Sequence, residues 1–367
     1  SIMFEIKEFS INDPNLEIIW KKLEDGSSPF IFQTFDWCKN WFDKVGTHNQ
    51  QEKFIILVAF ENNKPLVLFP FVLKSNRLFR KVEFFGGDQS DYNSPLYSTL
   101  NFSFSDLWKE VLKSLPAHDL MILKRIPEFI EVNKNPITSL TNIKVTGNAQ
   151  YLNLDPDEIK ENFISKRSKK DIERMIRRLS ELGNLTEHYV ETEKDFKEII
   201  KKTISQKEKR YLDTGARNIL SDPLISDFYK SLYNINSERI KIHLSYLKLD
   251  EEILATHLGF IFNKRFYYIF PTFDDGKYVK YSPGRVLLYR LVELCVNSDV
   301  NMFDLTIGSE GYKKKWSNGS MNICDYTSAL TFKGRVLNIV ISFLNYLKTS
   351  SKFRPYVLKI NKFLRIY

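Results

Sequence analysis

The chain has 367 residues, of which 43% are hydrophobic and 14% aromatic, and its formal net charge is +9. This composition excludes an intrinsically disordered chain, and the length allows two ordinary domains with separate cores. Eight basic residues and no acidic residue lie between Tyr326 and Tyr367, so the rest of the chain is close to neutral. The charge therefore argues against general nucleic-acid binding and for a local role of the basic segment.

Three cysteines and five histidines are dispersed along the chain, without a C-x-x-C motif. We therefore predict neither a metal site nor a disulfide framework. The N-terminal segment SIMFEIKEFS is charged where a signal peptide would be apolar, and no apolar run reaches the roughly twenty residues that span a bilayer. These features predict a cytoplasmic protein, with peripheral binding to the inner face of the membrane as an option.

The first half predicts strands and helices in alternation. After the strand MFEIKEF come a capped helix, NDPNLEIIWKKLE, and an aromatic helix, FQTFDWCKNWFDKV. Two apolar runs joined by Asn62 and Asn63 predict a hairpin, because asparagine tolerates turn geometry. The loop VEFFGGDQSDYNSPLY follows, and we interpret it either as a substrate-facing loop or as a solvated turn. A helix, FSFSDLWKEVLKSL, and a buried strand, HDLMILKRI, complete this half.

The second half begins after residues 127–147, whose polar, Asn-rich text predicts a linker or irregular loop. The next helix has seven basic residues between Lys166 and Arg178, a run typical of a solvated face that also suits an anionic substrate. Two further helices lead to a second hairpin turned at Asp250, and then to the strand RFYYIFPTF, the helix SPGRVLLYRLVELCV, the strand MFDLTI and the turn GSEGYKKKW. Because both hairpins are followed by a helix and a strand, we predict two copies of one α/β unit.

The helix that begins at Ser282 predicts an anion site. Serine can cap the first N–H groups, and Pro283 fits the first helical position because its missing N–H would have no partner. Arg285 stands where an acidic side chain would complete a capping box, so an external anion can take that place. A helix N-terminus offers aimed N–H groups and partial positive charge. We predict that Ser282, Pro283, Gly284 and Arg285 bind donor phosphates.

The C-terminal segment predicts two amphipathic helices. In TFKGRVLNIVISFLNYLKTS, polar residues recur at helical spacing and leave a broad apolar face: Asn338, Ser342, Asn345 and Thr349. In RPYVLKINKFLRIY, apolar and aromatic residues share one face: Tyr356, Val357, Ile360, Phe363, Leu364 and Tyr367. Lys359, Lys362 and Arg365 lie outside it, a pattern that suits an anionic membrane surface. The alternative is that these helices dock on the body or on a second subunit.

Several of these segments together resemble a known family. FDWCKNWF, PLVLFPFVL, SDYNSPLY, SKKDIERMIRRL, YSPG before an apolar helix, and FDLTIGSEGYKKKW follow the order found in the GNAT-related acetyltransferase-like proteins named for the cellulose-biosynthesis protein CelD. That family is close in fold to the Fem-type aminoacyl transferases of peptidoglycan synthesis. The resemblance covers residues 30–316. It implies an α/β fold (α+β, mixed sheets) with a tandem of two GNAT-like domains, residues 1–147 and 148–332, before a basic amphipathic tail, residues 333–367.

The resemblance also implies a reaction. The second domain would bind an acyl donor, acetyl-CoA or another acyl-CoA, and the acyl group would pass to an amine of a sugar or cell-envelope precursor, as in polysaccharide biosynthesis. The segment at Ser282 departs from the full R/Q-x-x-G-x-G/A phosphate loop, so aminoacyl-tRNA, the donor of Fem-type enzymes, stays as an alternative. Without sustained heptads for the Fem-type coiled coil, the smaller donor is favoured. A third alternative is a non-catalytic, membrane-peripheral assembly factor.

Two buried polar residues are candidates for catalysis. Acyl transfer to an amine needs a base and donors aimed at the developing oxyanion. His257, among apolar neighbours in ILATHLGFIF, is either a structural histidine or that base. Asp304 in the strand MFDLTI must be paired or functional, and it would orient His257 or accept a hydrogen bond from substrate. Cys295 lies in an apolar helix, so we interpret it as a core residue and not as a nucleophile.

The remaining candidates flank the predicted cleft. Glycines before Tyr312 and Lys313 bend the chain so that both side chains can point inwards. By resemblance to the Fem-type enzymes, Lys313 would stabilise the oxyanion or contact donor phosphates. Asp91, Tyr92 and Arg210, with Tyr312, are the candidate residues for binding the acceptor.

Overall fold

The computed structural model of the chain describes residues 3–98, 101–308 and 310–364. Its α-carbon contacts separate two compact units, which lie within residues 1–38, 48–146 and 323–367 and within residues 39–47 and 147–322. The division after residue 146 falls beside the predicted boundary at 147. Residues 333–364, predicted as a separate tail, are instead part of the first unit, and the last three residues of that tail lie outside the described ranges.

Strands and helices follow one another much as predicted. The strands are β1 (Glu5–Phe9), β2 (Glu52–Glu61), β3 (Lys64–Ser75), β4 (Arg80–Phe84), β5 (Leu96–Tyr97), β6 (Leu120–Pro127), β7 (Phe129–Ile130), β8 (Asn133–Lys134), β9 (Ile143–Asn153), β10 (Leu185–Tyr189), β11 (Lys241–Leu249), β12 (Glu252–Phe262), β13 (Arg265–Phe273), β14 (Met302–Ile307) and β15 (Gly319–Ala329). The helices are α1 (Pro14–Asp25), α2 (Phe35–Lys44), α3 (Phe104–Ser114), α4 (Asp157–Glu161), α5 (Lys166–Leu182), α6 (Glu193–Thr214), α7 (Pro223–Lys230), α8 (Pro283–Val296), α9 (Gly311–Lys315), α10 (Phe332–Lys348) and α11 (Arg354–Leu364).

Two predicted local structures are wrong. The segment at residues 127–147, predicted as a linker, forms the β7–β8 hairpin and the start of β9. The predicted turn at residues 308–316 contains the short helix α9. The first half of β9 has mostly exposed side chains, so it shows no alternation of apolar and polar residues from which a strand could be predicted.

The sheet of the first unit is built on the predicted hairpin. β2 and β3 pair antiparallel around Asn62 and Asn63, whose φ angles of 49° and 63° match a two-residue turn. The strand order is β1-β2-β3-β4-β6-β15, with β4 and β6 parallel and the other neighbours antiparallel. α3 packs on this sheet through the buried residues Leu107 and Trp108.

The second unit has the same topology. Its strand order is β10-β11-β12-β13-β14-β9, with β13 and β14 parallel and the other neighbours antiparallel. Asp250, with φ 51°, turns the β11–β12 hairpin, and α8 connects the two parallel strands. The last strand of the first sheet, β15, follows the whole second unit in sequence, whereas the last strand of the second sheet, β9, precedes the other strands of that sheet. The chain is thus a mixed α/β protein built from two units of the same topology.

A buried ion cluster lies in the first unit on β2, β3 and β4. Glu83 accepts hydrogen bonds from Lys74 Nζ at 2.7 Å and from Lys81 Nζ at 2.9 Å, and Glu52 lies 3.7 Å from Lys74. The Lys81 side chain is only 1% exposed, and burial lowers its pKa although Glu83 opposes this. Burial alone would raise the pKa of Glu83, but the two lysines outweigh it and hold the value at about 2. Glu83 therefore stays ionised between its partners.

The predicted C-terminal helices form as α10 and α11 within the first unit. Thr331 caps α10, and its hydroxyl accepts the Gly334 N–H at 3.0 Å. An added Cβ at Gly334 would lie 1.9 Å from the Asp119 carbonyl oxygen, so only glycine allows this close approach. Among the helices of the described ranges, none is long and apolar enough to cross a membrane.

Candidate functional site

A cleft of about 1330 Å³ opens in the second unit beside α5, the first turn of α8, and α9. Tyr312 and Trp316 form part of its wall. Six basic and two acidic side chains line it: Arg167, Lys170, Arg174, Arg177, Arg285, Lys315, Asp171 and Glu173. This excess of positive charge makes the cleft a site for anions.

The helix α5 supplies most of that charge. Its basic lining residues recur every three or four positions and therefore share one face: Arg167, Lys170, Arg174 and Arg177. Ile172 and Leu179 are buried and anchor the opposite face of the helix. Ser165 caps the N-terminus by accepting the Ser168 N–H at 3.1 Å. The helix predicted as either a solvated face or an anion site thus borders a cleft.

The start of α8 differs from the predicted cap. Ser282 has φ 50° and ψ 55°, in the left-handed region, and its side chain makes no capping hydrogen bond. The prediction that serine caps this helix is therefore wrong, because that backbone conformation turns the hydroxyl away from the first-turn N–H groups. Arg285 and Val286 donate their N–H groups to the Ser282 carbonyl at 3.0 and 3.1 Å. Arg285 Nη1 lies 3.3 Å from Asp171 Oδ2, at the cleft.

Gly284 and Arg210 both lie close to the ring of Phe273. An added Cβ at Gly284 would be 3.6 Å from Phe273 Cδ1, and the Arg210 guanidinium carbon is 5.3 Å from the centre of the Phe273 ring. Arg210 and Phe273 also line a smaller cavity of about 190 Å³. Arg210, which we predict to bind the acceptor, thus lies close to Gly284, which we predict to bind the donor.

Lys313 is anchored at the end of β14. Its Nζ donates to the Ile307 carbonyl at 2.8 Å and to Glu310 Oε2 at 3.1 Å. The side chain passes over Gly308, where an added Cβ would lie 2.6 Å from Nζ and the φ of 142° also favours glycine. An ammonium has three donors, and these two contacts with described residues use two of them.

Lys207 lies near Lys313, and we did not identify it from the sequence as a site residue. Its Nζ donates to the Pro271 carbonyl at 3.4 Å and sits 4.9 Å from the centre of the Phe270 ring. Burial lowers its pKa, and Lys313 adds to this whereas Glu310 opposes it. In the sequence, Lys207 resembles the other lysines of α6, so no signal separates it from a solvated residue.

His257 occupies a fully buried position on β12. The β12–β13 register shifts at Leu258/Gly259, which leaves Ile269 without an opposite residue, and His257 Nε2 accepts the Ile269 N–H at 3.1 Å. Its Nδ1 has no hydrogen-bond partner, and its ring stacks on Tyr268 with centroids 4.4 Å apart. Burial holds its pKa well below the ordinary value. This geometry favours the structural interpretation over the base.

Asp304 is buried and paired at the point where β13 and β14 stop pairing. Arg265 Nε donates to its Oδ2 at 3.1 Å, and the Thr306 N–H donates to its Oδ1 at 2.7 Å. Tyr267 and Asp304 are the last parallel pair, after which Thr306 Oγ1 donates to the Tyr268 carbonyl at 3.3 Å. No hydrogen bond joins this carboxylate to His257, because Nε2 accepts the Ile269 N–H and Nδ1 has no partner, so Asp304 does not orient that ring.

Asp91 and Tyr92, predicted for the acceptor, lie in the first unit. Tyr92 is fully buried and packs on Phe30 with ring centroids 4.5 Å apart, so it has no exposed surface for a substrate. Asp91 lies 4.0 Å from Arg125 Nη1, which also donates to the Asp88 carbonyl at 2.8 Å. Contacts within the unit thus fix this loop.

The structure also shows the surroundings of Tyr312 and Cys295, the two remaining residues discussed from the sequence. Tyr312 lines the cleft, and burial raises its pKa, so its hydroxyl stays protonated and can donate a hydrogen bond. Cys295 is a core residue of α8, as predicted, and burial raises the pKa of its thiol. Within the described ranges, no group of three or more His, Cys, Asp or Glu side chains is arranged to hold a metal ion.

We expect the protein to lose stability as the pH falls from 7 to 5. Burial lowers the pKa of His243 from 6.5 to about 4, and lowers that of His257 as well. The unfolded chain binds protons near pH 6.5 and the folded chain does not, so this stability exists above pH 6.5 and is lost towards the folded pKa. For His243 the loss at pH 5 is about 2 kcal/mol.

Urea unfolding at the two pH values measures this loss. His243→Asn should reduce the dependence on pH, whereas His48→Gln, at an exposed position, should leave it unchanged. Equal pH dependence in all three proteins would contradict the assignment.

Residues 166–314 match the family model described as an acetyltransferase (GNAT) domain, and this range contains α5, α8 and most of α9. A sequence search among curated proteins finds no match. The match to an acetyltransferase domain supports acyltransferase activity.

The solved structures similar to the chain include FemX, with 11% identity, a TM-score of 0.61, and coverage of 92% of this chain and 99% of that one. L-PGS from Bacillus licheniformis has 10% identity, a TM-score of 0.53, and coverage of 92% and 97%. The C-terminal domain of a putative lysylphosphatidylglycerol synthetase from Agrobacterium fabrum has 10% identity, a TM-score of 0.52, and coverage of 89% and 95%. At these identities the likeness concerns the fold alone.

Proposed function

We propose that the protein transfers an acyl group, with acetyl as the main candidate, from acyl-CoA to an amine of a sugar or cell-envelope precursor. The basic cleft at the start of α8, within the range that matches an acetyltransferase domain, carries the proposal. Coenzyme A is a polyanion with a pyrophosphate and a ribose phosphate. One guanidinium group can bind two phosphate oxygens at once through two parallel N–H groups. Arg174, Arg177 and Arg285 are the donor-binding side chains, together with the Gly284 N–H, because Pro283 has no N–H and the Ser282 N–H donates to the Val279 carbonyl at 3.0 Å.

The transfer step takes place beside the end of β14, where Lys313 is held. The acceptor nitrogen attacks the thioester carbonyl carbon, the C–N bond forms, and the C–S bond breaks to release the thiolate. The remaining donor of Lys313 faces the negative charge that develops on the carbonyl oxygen. Lys207, close to Lys313, removes the proton from the attacking amine and passes it to the thiolate; burial lowers its pKa, which makes the neutral amine easier to reach than in an exposed lysine.

The acceptor binds beside Arg210 and Phe273, in the small cavity that adjoins Gly284. Tyr312, which lines the larger cleft, donates a hydrogen bond to the acceptor. Support for a sugar or polysaccharide acceptor comes from the resemblance to the CelD-type proteins, and we propose polysaccharide biosynthesis as the context.

A second candidate donor is aminoacyl-tRNA. The basic stripe of α5 extends over about 15 Å from Arg167 to Arg177, which is longer than a pyrophosphate and suits an RNA backbone. Binding of such a donor should weaken steeply with added salt, because counterions are released from each neutralised phosphate.

Calorimetric titration with acetyl-CoA tests the donor. We expect binding by the natural chain, and at least a roughly tenfold weaker affinity in Gly284→Trp, whose indole would fill the phosphate position at the helix start. Gly147→Trp is the matched control, because an added Cβ there meets nothing within 4 Å. Its affinity should be unchanged.

The absence of heat with acetyl-CoA at high protein concentration would overturn the acyl-CoA donor. Salt-sensitive binding of aminoacyl-tRNA, weakened by Arg174→Gln with Arg177→Gln, would then support the second candidate. If neither donor binds, both forms of the proposed reaction fail.

A further inference from the structure

The helices α10 and α11 are held to the first unit by their inner faces. Leu337, Ile341 and Leu344 of α10 and Val357 of α11 are buried in one cluster with Phe79 and two residues of β6. Asn76 Nδ2 donates to the Leu364 carbonyl at 3.1 Å. Docking on the body, one of the two alternatives for this segment, therefore accounts for only part of its apolar surface.

The outer face of α10 is apolar and exposed. Its side chains recur at spacings of four, three, four and three residues, so they form one stripe: Phe332, Val336, Ile339, Phe343 and Tyr346. Each is between 45% and 79% exposed. α11 continues this character with exposed Tyr356, Ile360 and Phe363. The side chains from both helices are called the outer apolar stripe below. The broad apolar face predicted for α10 is thus two faces, one buried and one open.

The charge on these helices is of one sign. Residues 332–364 contain no aspartate or glutamate, and their basic side chains include Arg335, Lys352, Arg354, Lys359 and Lys362, all exposed. An apolar stripe bordered only by basic groups matches an anionic lipid surface, because acyl chains take the apolar side chains and headgroups take the charges.

We propose that the outer apolar stripe docks the protein on an anionic lipid bilayer. A second copy of the chain is a poorer occupant, because two such faces would bring like charges together without an acidic partner on either helix. An RNA would cover the basic groups but leave the aliphatic side chains Val336 and Ile339 in water. The proposal does not depend on which donor the cleft of the second unit binds.

Flotation of the full chain with vesicles tests the proposal. We expect binding to vesicles of equal parts phosphatidylcholine and phosphatidylglycerol, weaker binding to pure phosphatidylcholine, and release by salt. Ile339→Ser with Phe343→Ser should weaken binding at least about tenfold through lost apolar contact. Ile18→Ser, at an exposed position on α1, is the matched control and should bind like the natural chain.

A pair of charge variants tests the electrostatic part. Arg335→Gln with Lys359→Gln should weaken binding by about 25-fold, since each basic group near an anionic surface contributes about fivefold. Lys22→Gln with Lys109→Gln removes two exposed charges elsewhere in the same unit and should have little effect.

Fluorescence gives a second, independent measurement. Tryptophan is absent after Trp316, so Phe343→Trp places an indole in the stripe, and its emission should shift to the blue with the anionic vesicles. Equal vesicle binding by the natural chain and the stripe variant would overturn the proposal. A concentration-dependent dimer that the stripe variant abolishes, without vesicle binding, would overturn it as well and assign the face to a second copy.

Discussion

Lys313→Met is expected to lower kcat for acyl transfer roughly 100- to 1000-fold, the effect of removing one donor aimed at a developing oxyanion. The substitution removes the ammonium while the length of the side chain is nearly kept. Donor affinity should change little, because the proposed phosphate contacts are made by arginines of α5 and α8. Turnover with acetyl-CoA and a panel of amino sugars measures kcat, and calorimetry measures donor binding.

The neighbouring residue gives the control. Lys314→Met removes the same charge from an exposed position on α9 and should leave kcat unchanged. Equal losses in the two variants would point to the general charge of the helix, and an unchanged kcat in Lys313→Met would remove this lysine from the reaction. Loss of the hydrogen bond to the Ile307 carbonyl should cost about 1 kcal/mol of stability, which thermal unfolding would register separately.

Glu83→Gln should lower the free energy of unfolding by about 3–5 kcal/mol, the usual cost of removing one partner from a buried ion pair. The change leaves Lys81 in the core of the first unit without its carboxylate, and leaves Lys74 with only the more distant Glu52. Urea unfolding at pH 7 measures the loss. The stability due to Glu83 is present above the unfolded carboxyl pKa of 4.5 and disappears as the pH falls towards 2.

A surface pair shows the contrast. Glu110 bonds Lys113 at 3.2 Å, with both side chains well exposed, and Glu110→Gln should cost less than about 1 kcal/mol. Similar losses in the two glutamine variants would mean that the cluster on β2, β3 and β4 behaves like ordinary surface charge.

The sequence is sufficient to predict both hairpins and the helices α3 and α8, which lie between the two parallel strands of each unit. Asn62, Asn63 and Asp250 mark the turns, and long apolar runs mark the paired strands, so local chemistry and the tertiary structure agree there. β9 and β15 were harder to predict, because their side chains are partly exposed and lack a regular apolar pattern. Pairing with distant strands, β14 and β6, decides their conformation, and a local window does not contain that information.

The site was predictable in charge but not in geometry. The basic face of α5 follows from helical spacing, and the sequence also predicts Arg285 at an anion site. The partners of the buried polar residues are visible only in the structure. His257 accepts a hydrogen bond from the N–H of the bulged residue Ile269, and Asp304 pairs with Arg265 from another strand. Lys207 shows the converse, since a lysine that looks solvated in the sequence proves to be half-buried, with its Nζ against the Pro271 carbonyl and the Phe270 ring. A sequence shows which polar groups exist, but their partners come from other strands and helices.

The pairing of β15 with β6 of the first unit sets an order of events during synthesis. β6 of the first unit pairs with residues 323–329, which leave the ribosome only after the whole second unit. Until then β6 has an open edge, and an unpaired strand edge is a site for aggregation and chaperone binding. The second unit already has its last strand, β9, when β14 emerges. The half of the chain made first is therefore the half whose sheet is completed last.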